Sequence, residues 1–88
     1  MSYIVAINRS PVTKAFKGAF VNLRPDDLLA DCISQTLAKV PEVNPKDIED
    51  LIIGCAMPEA EQGMNIARIA ALLAGLPNSV CGITINRF

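Results

Sequence analysis

Apolar residues gather in separate stretches along the chain, and their spacing changes from one stretch to the next. Tyr3 to Ile7 is a short run rich in β-branched residues, closed by Asn8 and Pro11, and it predicts a strand. Leu28, Leu29, Cys32, Ile33, Leu37 and Val40 recur at helical spacing and predict an amphipathic helix. Pro25 opens that helix, because its fixed φ suits the first turn and its missing N–H is not needed there. Asp26 and Asp27 follow where the helix dipole favours negative charge, and Pro41 closes the element. Asn44-Pro45 has the form of an N-cap and first-turn proline for a short helical turn through Glu49.

Leu51-Ile52-Ile53-Gly54-Cys55 lacks polar alternation, which suits a strand covered on both faces, the habit of parallel sheets. From Asn65 to Ala74 the pattern is apolar almost all round, with Arg68 its only charge. This predicts a helix buried on most sides, capped by Gly75 and followed by Pro77. An unpaired buried charge is costly, so Arg68 is expected to pair with a carboxylate or backbone carbonyls. Val80 to Ile85 is a further β-branched run and a third strand. The order strand, helix, strand, helix, strand, with crossovers long enough for parallel pairing, predicts an α/β fold of two right-handed βαβ units. Residues 9–24 and 56–64 are the long loops, and loops of such length usually act on something or cover something.

Composition adds that the segment is unusually apolar. Hydrophobic residues make up 51% of the 88, and charged residues 19%, against about a quarter in an ordinary globular domain. A small domain needs more polar cover than a large one, so this balance predicts burial against something beyond these residues. The net charge of −1 gives no footprint for nucleic acid. Charge is uneven, however: Arg9, Lys14, Lys17 and Arg24 all precede the first acid, Asp26. A basic loop of this kind suits either solvent or a phosphorylated ligand. Cys32, Cys55 and Cys81 are odd in number, widely spaced and without a histidine, which argues against a zinc site or disulfide framework and for a reducing compartment. With no signal-peptide pattern and no apolar run near membrane-spanning length, the chain reads as soluble and cytoplasmic.

No residue within 1–88 is expected to catalyse unaided. Gly54, Gly63 and Gly75 are too far apart to form a nucleotide loop, and the paired acids Asp26-Asp27 and Glu49-Asp50 sit at predicted element ends. The informative place is the end of the last strand. Ligands of open α/β sheets collect beyond the carboxyl ends of the strands, where Asn86-Arg87-Phe88 would lie. A nucleophile on a turn from that strand into a helix would feel the helix dipole, which favours a thiolate.

The motifs R-S-P and F-K-G-A-F (Arg9 to Pro11, Phe16 to Phe20), E-Q-G-M-N-I-A-R (Glu61 to Arg68), A-G-L-P (Ala74 to Pro77) and T-I-N-R-F (Thr84 to Phe88) occur in this order. Together they resemble the amino-terminal part of thiolases across essentially the whole chain. The resemblance implies a thiolase-like fold, with residues 1–88 as the amino-terminal β-α-β-α-β part of a mostly parallel sheet covered by helices. The segment would be an incomplete part of the thiolase N-terminal domain. It would end just before the nucleophilic Cys, expected immediately after Phe88, either as a fragment or as a chain broken at a modified cysteine.

The resemblance further implies thiolytic cleavage of 3-ketoacyl-CoA through a Cys thioester, as in fatty-acid β-oxidation. Coenzyme A would be a co-substrate, with no permanently bound cofactor and no metal. Asn86 and Arg87 would support the active-site turn, and Gln62, Gly63 and Asn65 would form a loop at a subunit interface. A homodimer or tetramer is implied, with a β-oxidation multienzyme partner as an extension. K-G-A-F-V-N-L-R-P-D-D-L resembles degradative thiolases more than the biosynthetic acetoacetyl-CoA type. A non-catalytic thiolase-fold subunit is the alternative of a different class, and R-S-P and N-R-F argue against a ketoacyl synthase. One departure is Val80-Cys81-Gly82, where thiolases usually have Pro at the central position. Cys81 takes no catalytic role, and the change bears on how rigidly the chain turns into the strand.

Overall fold

The chain forms two helices and two strands, in the order α1 (Pro25–Ala38), β1 (Asp50–Gly54), α2 (Ile66–Leu73) and β2 (Cys81–Ile85). Short 3-10 turns occur at Pro45–Asp47 and Ala60–Gln62. The structure is a computed structural model and describes residues 1–88.

Pro25 occupies the first turn of α1, as its fixed φ predicts. The helix gives way at Ala38, so Val40 closes the turn outside it through an N–H donated to Leu37. Asn44 caps the turn at Pro45–Asp47, its Oδ1 accepting the Lys46 N–H at 3.0 Å. At the other end of the chain Gly75 adopts φ 81°, the left-handed conformation that follows many helices. The N–H of Leu76 then bonds to the Ala71 carbonyl and that of Gly75 to the Leu72 carbonyl. This pair of bonds reverses the chain and buries Leu76 beside Ala71 and Val80. Ile33, Leu37, Ile48, Leu51 and Ala74 pack around that cluster, which joins both helices to the sheet.

β1 and β2 pair in parallel, with Asp50 opposite Cys81, Ile52 opposite Ile83 and Gly54 opposite Ile85. The α2 crossover between them makes one βαβ unit, in keeping with the α/β architecture. Ala67, Ala70 and Ala71 are fully buried on α2, and their small size lets the helix backbone descend onto the strands. Gly82 marks the closest approach: a Cβ there would lie 2.7 Å from the Arg68 nitrogen and 2.9 Å from its Cα.

Three expectations need correction. Tyr3 to Ile7 pairs with no strand, so the order is α-β-α-β and there is one βαβ unit rather than two. Its residues have strand-like composition but meet no free ladder edge, and most are exposed; Lys39 Nζ reaches the Ile7 carbonyl at 2.7 Å. Strand propensity expresses fit to a pleated neighbour, and without one it yields no ladder. Secondly, the strands are covered on one face only: Ile52, Ile83 and Ile85 on the other remain 56%, 44% and 51% exposed. Thirdly, α2 is buried along one side, while Leu72 and Leu73 are about half exposed. No helix is long and apolar enough to cross a membrane.

Candidate functional site

The parallel pair gives the sheet a single carboxyl edge, where the chain leaves β1 after Gly54 and β2 after Ile85. The Cys55 N–H continues the ladder by donating to the Ile85 carbonyl at 2.9 Å, so both strands end together. Beyond them Ala56, Met57, Pro58, Glu59, Asn86 and Phe88 surround an open cavity of about 290 Å³. Asn86 and Phe88 therefore meet the Met57–Glu59 loop at this edge, whereas Arg87, between them, does not line the cavity.

The segment carrying Gln62, Gly63 and Asn65 is tied to this edge from the side. Gln62 Nε2 donates to the Met57 carbonyl at 3.3 Å, and the Glu59 N–H donates to the same carbonyl at 2.8 Å. Gly63 itself has φ −81°, while the left-handed residues are Ala60, Met64 and Asn65, with φ of 51°, 56° and 59°. The glycine thus serves by small size, since a Cβ would lie 3.2 Å from the Ala60 carbonyl oxygen. Asn65 is not free at the surface: its Nδ2 donates to the Gly82 carbonyl at 3.0 Å and its Oδ1 accepts the Thr84 hydroxyl at 2.7 Å.

Arg68 finds carbonyls, not a carboxylate. Its Nη1 donates to Val80 at 2.8 Å and Asn78 at 3.4 Å, holding the stretch that leads into β2. Arg24, for which no site role was expected, makes a two-pronged contact with Asp26, Nε to Oδ1 and Nη2 to Oδ2, each 3.1 Å. Its Nη1 also lies 3.6 Å from Glu61, joining the start of α1 to the turn before α2. The hydrogen bonds from Arg24 hold the Asp26 carboxyl below its usual range, with the attraction of the same guanidinium and the Asp27 N–H adding to them against a burial penalty. The reciprocal bond raises Arg24 above the ordinary arginine value. The spacing of a cation two residues before an acid at a helix start was a readable signal for this pair.

A larger cavity of about 480 Å³ lies between residues 8–11 and α1. Arg9 lines it together with Asp27 and Asp31, so the charged part of the lining is acidic on balance. The three thiols are free, and no cluster of three or more His, Cys, Asp or Glu side chains stands together as a metal site.

Residues 2–88 match the family described as the thiolase N-terminal domain. The chain belongs to the thiolase family. It is 53% identical over 85 residues to a 3-ketoacyl-CoA thiolase of Bacillus subtilis (strain 168), covering 97% of this chain and 22% of that protein. A 3-ketoacyl-CoA thiolase of Colwellia psychrerythraea is 49% identical over 84 residues, covering 96% of this chain and 22% of its own length. One from Vibrio cholerae serotype O1 is 48% identical with the same coverage. The chain thus spans about a fifth of the length of these curated relatives, 22% in each case. In this thiolase segment the E-Q-G-M-N loop bonds through Gln62 to Met57, which lines the edge cavity with Asn86 and Phe88, and through Asn65 to Gly82 and Thr84 within β2.

Proposed function

We propose that the segment belongs to a CoA-dependent acyltransferase that cleaves 3-ketoacyl-CoA to acetyl-CoA and a shortened acyl-CoA. The observation that carries this reading is the 53% identity, across 97% of the chain, to a protein named 3-ketoacyl-CoA thiolase. The position of Asn86 and Phe88 at the carboxyl edge of a parallel pair supports it, because open α/β sheets bind ligands there.

In this reading a Cys directly after Phe88 attacks the 3-keto carbon as a thiolate. The bond between C2 and C3 breaks, its electron pair leaves with the acetyl-CoA fragment, and a proton converts that carbanion into acetyl-CoA. The acyl group stays on the sulfur as a thioester, and the thiol of coenzyme A then takes it, returning the cysteine. Two acyl transfers replace one difficult carbon–carbon step. The groups that move protons lie outside residues 1–88, where none of the side chains has that role. Asn86 and Arg87 support the turn that presents the sulfur. Gln62, Gly63 and Asn65 belong to a loop that shapes a subunit contact in a homodimer or tetramer. The setting is fatty-acid β-oxidation in the cytoplasm, with coenzyme A as co-substrate and no resident cofactor.

The test uses the full-length protein. Coenzyme A-dependent loss of a 3-ketoacyl-CoA substrate is measured before and after iodoacetamide, and the alkylated peptide is mapped. Loss of activity with one labelled thiol, directly after Phe88, is the expected result. No thiolysis, and a residue other than Cys at that place, would leave a thiolase fold without this chemistry. Preference for acetoacetyl-CoA over longer substrates would instead favour the biosynthetic type.

A further inference from the structure

Asn65 stands at the N-cap of α2 but does not cap it. Its backbone is left-handed (φ 59°, ψ 76°), and its side chain makes no bond to the first turn. The opening N–H groups of a helix lack partners within it, and an N-cap oxygen normally accepts one of them. Here the Ala67 N–H donates to Thr84 Oγ1, 3.2 Å away on β2. The Thr84 hydroxyl donates its own proton to Asn65 Oδ1 at 2.7 Å, and Asn65 Nδ2 donates to the Gly82 carbonyl at 3.0 Å. The helix is therefore capped from the strand, and the displaced cap residue reaches back to hold the strand. Gly82 makes this closure feasible, since any Cβ there would strike the backbone of Arg68.

The geometry points to Thr84 as a positioning residue for the acyl-transfer reaction. Its hydroxyl locks β2 to the first turn of α2 two residues before Asn86, and so fixes where the strand presents the residues of the carboxyl edge. The role rests on the acyltransferase reading above. Thr84 does not line the edge cavity; it acts through the strand. A hydroxyl with both its proton and a lone pair engaged has one orientation, so the lock has little slack.

Thr84→Val in the full-length protein removes donor and acceptor at nearly constant volume, and Thr84→Ser keeps them. Activity is expressed per folded protein, taken as the fraction that melts cooperatively, because Cys32, Cys55 and Cys81 are free as well and a thiol titration would count unfolded chains. A displaced reacting group lowers kcat rather than substrate affinity, so Thr84→Val should lose on the order of tenfold in kcat with KM within about twofold. Thr84→Ser should recover most of it. The pH dependence of thiol alkylation should also shift in Thr84→Val, because the sulfur moves relative to its surroundings. If Thr84→Val does not fold, Asn65→Asp decides: it keeps the acceptor for Thr84 and removes the donor to Gly82, and a loss of kcat at unchanged KM is expected. Unchanged kcat in the folded variant, with only a lower unfolding temperature, overturns the positioning role alone. A wild-type protein without thiolysis overturns the activity reading and this role with it.

Discussion

The two faces of the β1–β2 pair are similar in aliphatic content and differ in cover. The face under α2 presents Leu51, Ile53, Gly82 and Thr84, while the open face presents Asp50, Ile52, Gly54, Cys81, Ile83 and Ile85. Half of the positions on each face are large aliphatics. On the covered face the helix is held also by backbone proximity at Gly82 and by the hydrogen bonds of Thr84 and Asn65. The isoleucines of the open face have no such partner, and isoleucine is stabilising when something packs on it. A contiguous exposed apolar surface of this kind is uncommon on a stable monomer. The same run of β-branched residues thus contains one set of positions that has found its partner and another that has not.

Changes on the covered face should be the most damaging. Gly82→Val in the full-length protein would force a side chain into the backbone of α2, and we expect a loss of about 3 kcal/mol, seen as a lower unfolding midpoint or as insoluble protein. An unfolding midpoint equal to wild type would mean that α2 can retreat from the strand at little cost. On the open face, Ile83→Ser should cost about 2 kcal/mol in the full-length protein if the remaining chain covers it, and should improve the solubility of residues 1–88 expressed alone. That isolated segment is expected to self-associate in light scattering. A monomeric, cooperatively melting sample would remove the contrast between the faces.

Arg68→Met keeps the stem of the side chain and leaves the Val80 carbonyl without its charged donor, which should cost about 2 kcal/mol in denaturant unfolding. The smallest effect concerns acid. Because the folded pKa of Asp26 is lowered, its contribution is in place above the unfolded value near 3.8 and is lost as pH falls through the folded value. Asp26→Asn should therefore flatten the acid limb of the unfolding midpoint against pH. An unchanged limb would show that Arg24 serves Asp26 no better than water does.

Much of this was legible in the chain itself, where the signals are local. Pro25, Asn44-Pro45 and Gly75 act through φ preferences and hydrogen bonds within a few residues, and the elements they bound fall within one or two residues of expectation. Strands β1 and β2 were visible as β-branched runs, and the parallel pairing followed from the length of the crossover. Tyr3 to Ile7 has similar residues and does not pair, because a ladder needs a second edge that local sequence does not describe. The carboxyl edge was legible to the same degree: Asn86 lines the cavity there, while Arg87 does not. The sequence marks Asn65 as a candidate for backbone shaping and subunit contact, and it does not reveal that both polar ends of the side chain bond to β2. That lock depends on where a helix crosses a strand, which neither spacing nor composition records.

The Cys81 amide donates to the Glu49 carbonyl at 3.2 Å, the first rung of the parallel ladder. An imino acid at that position would have no proton to give, so the sheet would begin one rung later and the strand would owe its direction to a stiff φ instead. A chain with proline here would thus anchor the same strand through ring rigidity, where this one uses an amide. Exchanging the two residues in either background is a change of fastening rather than a neutral swap.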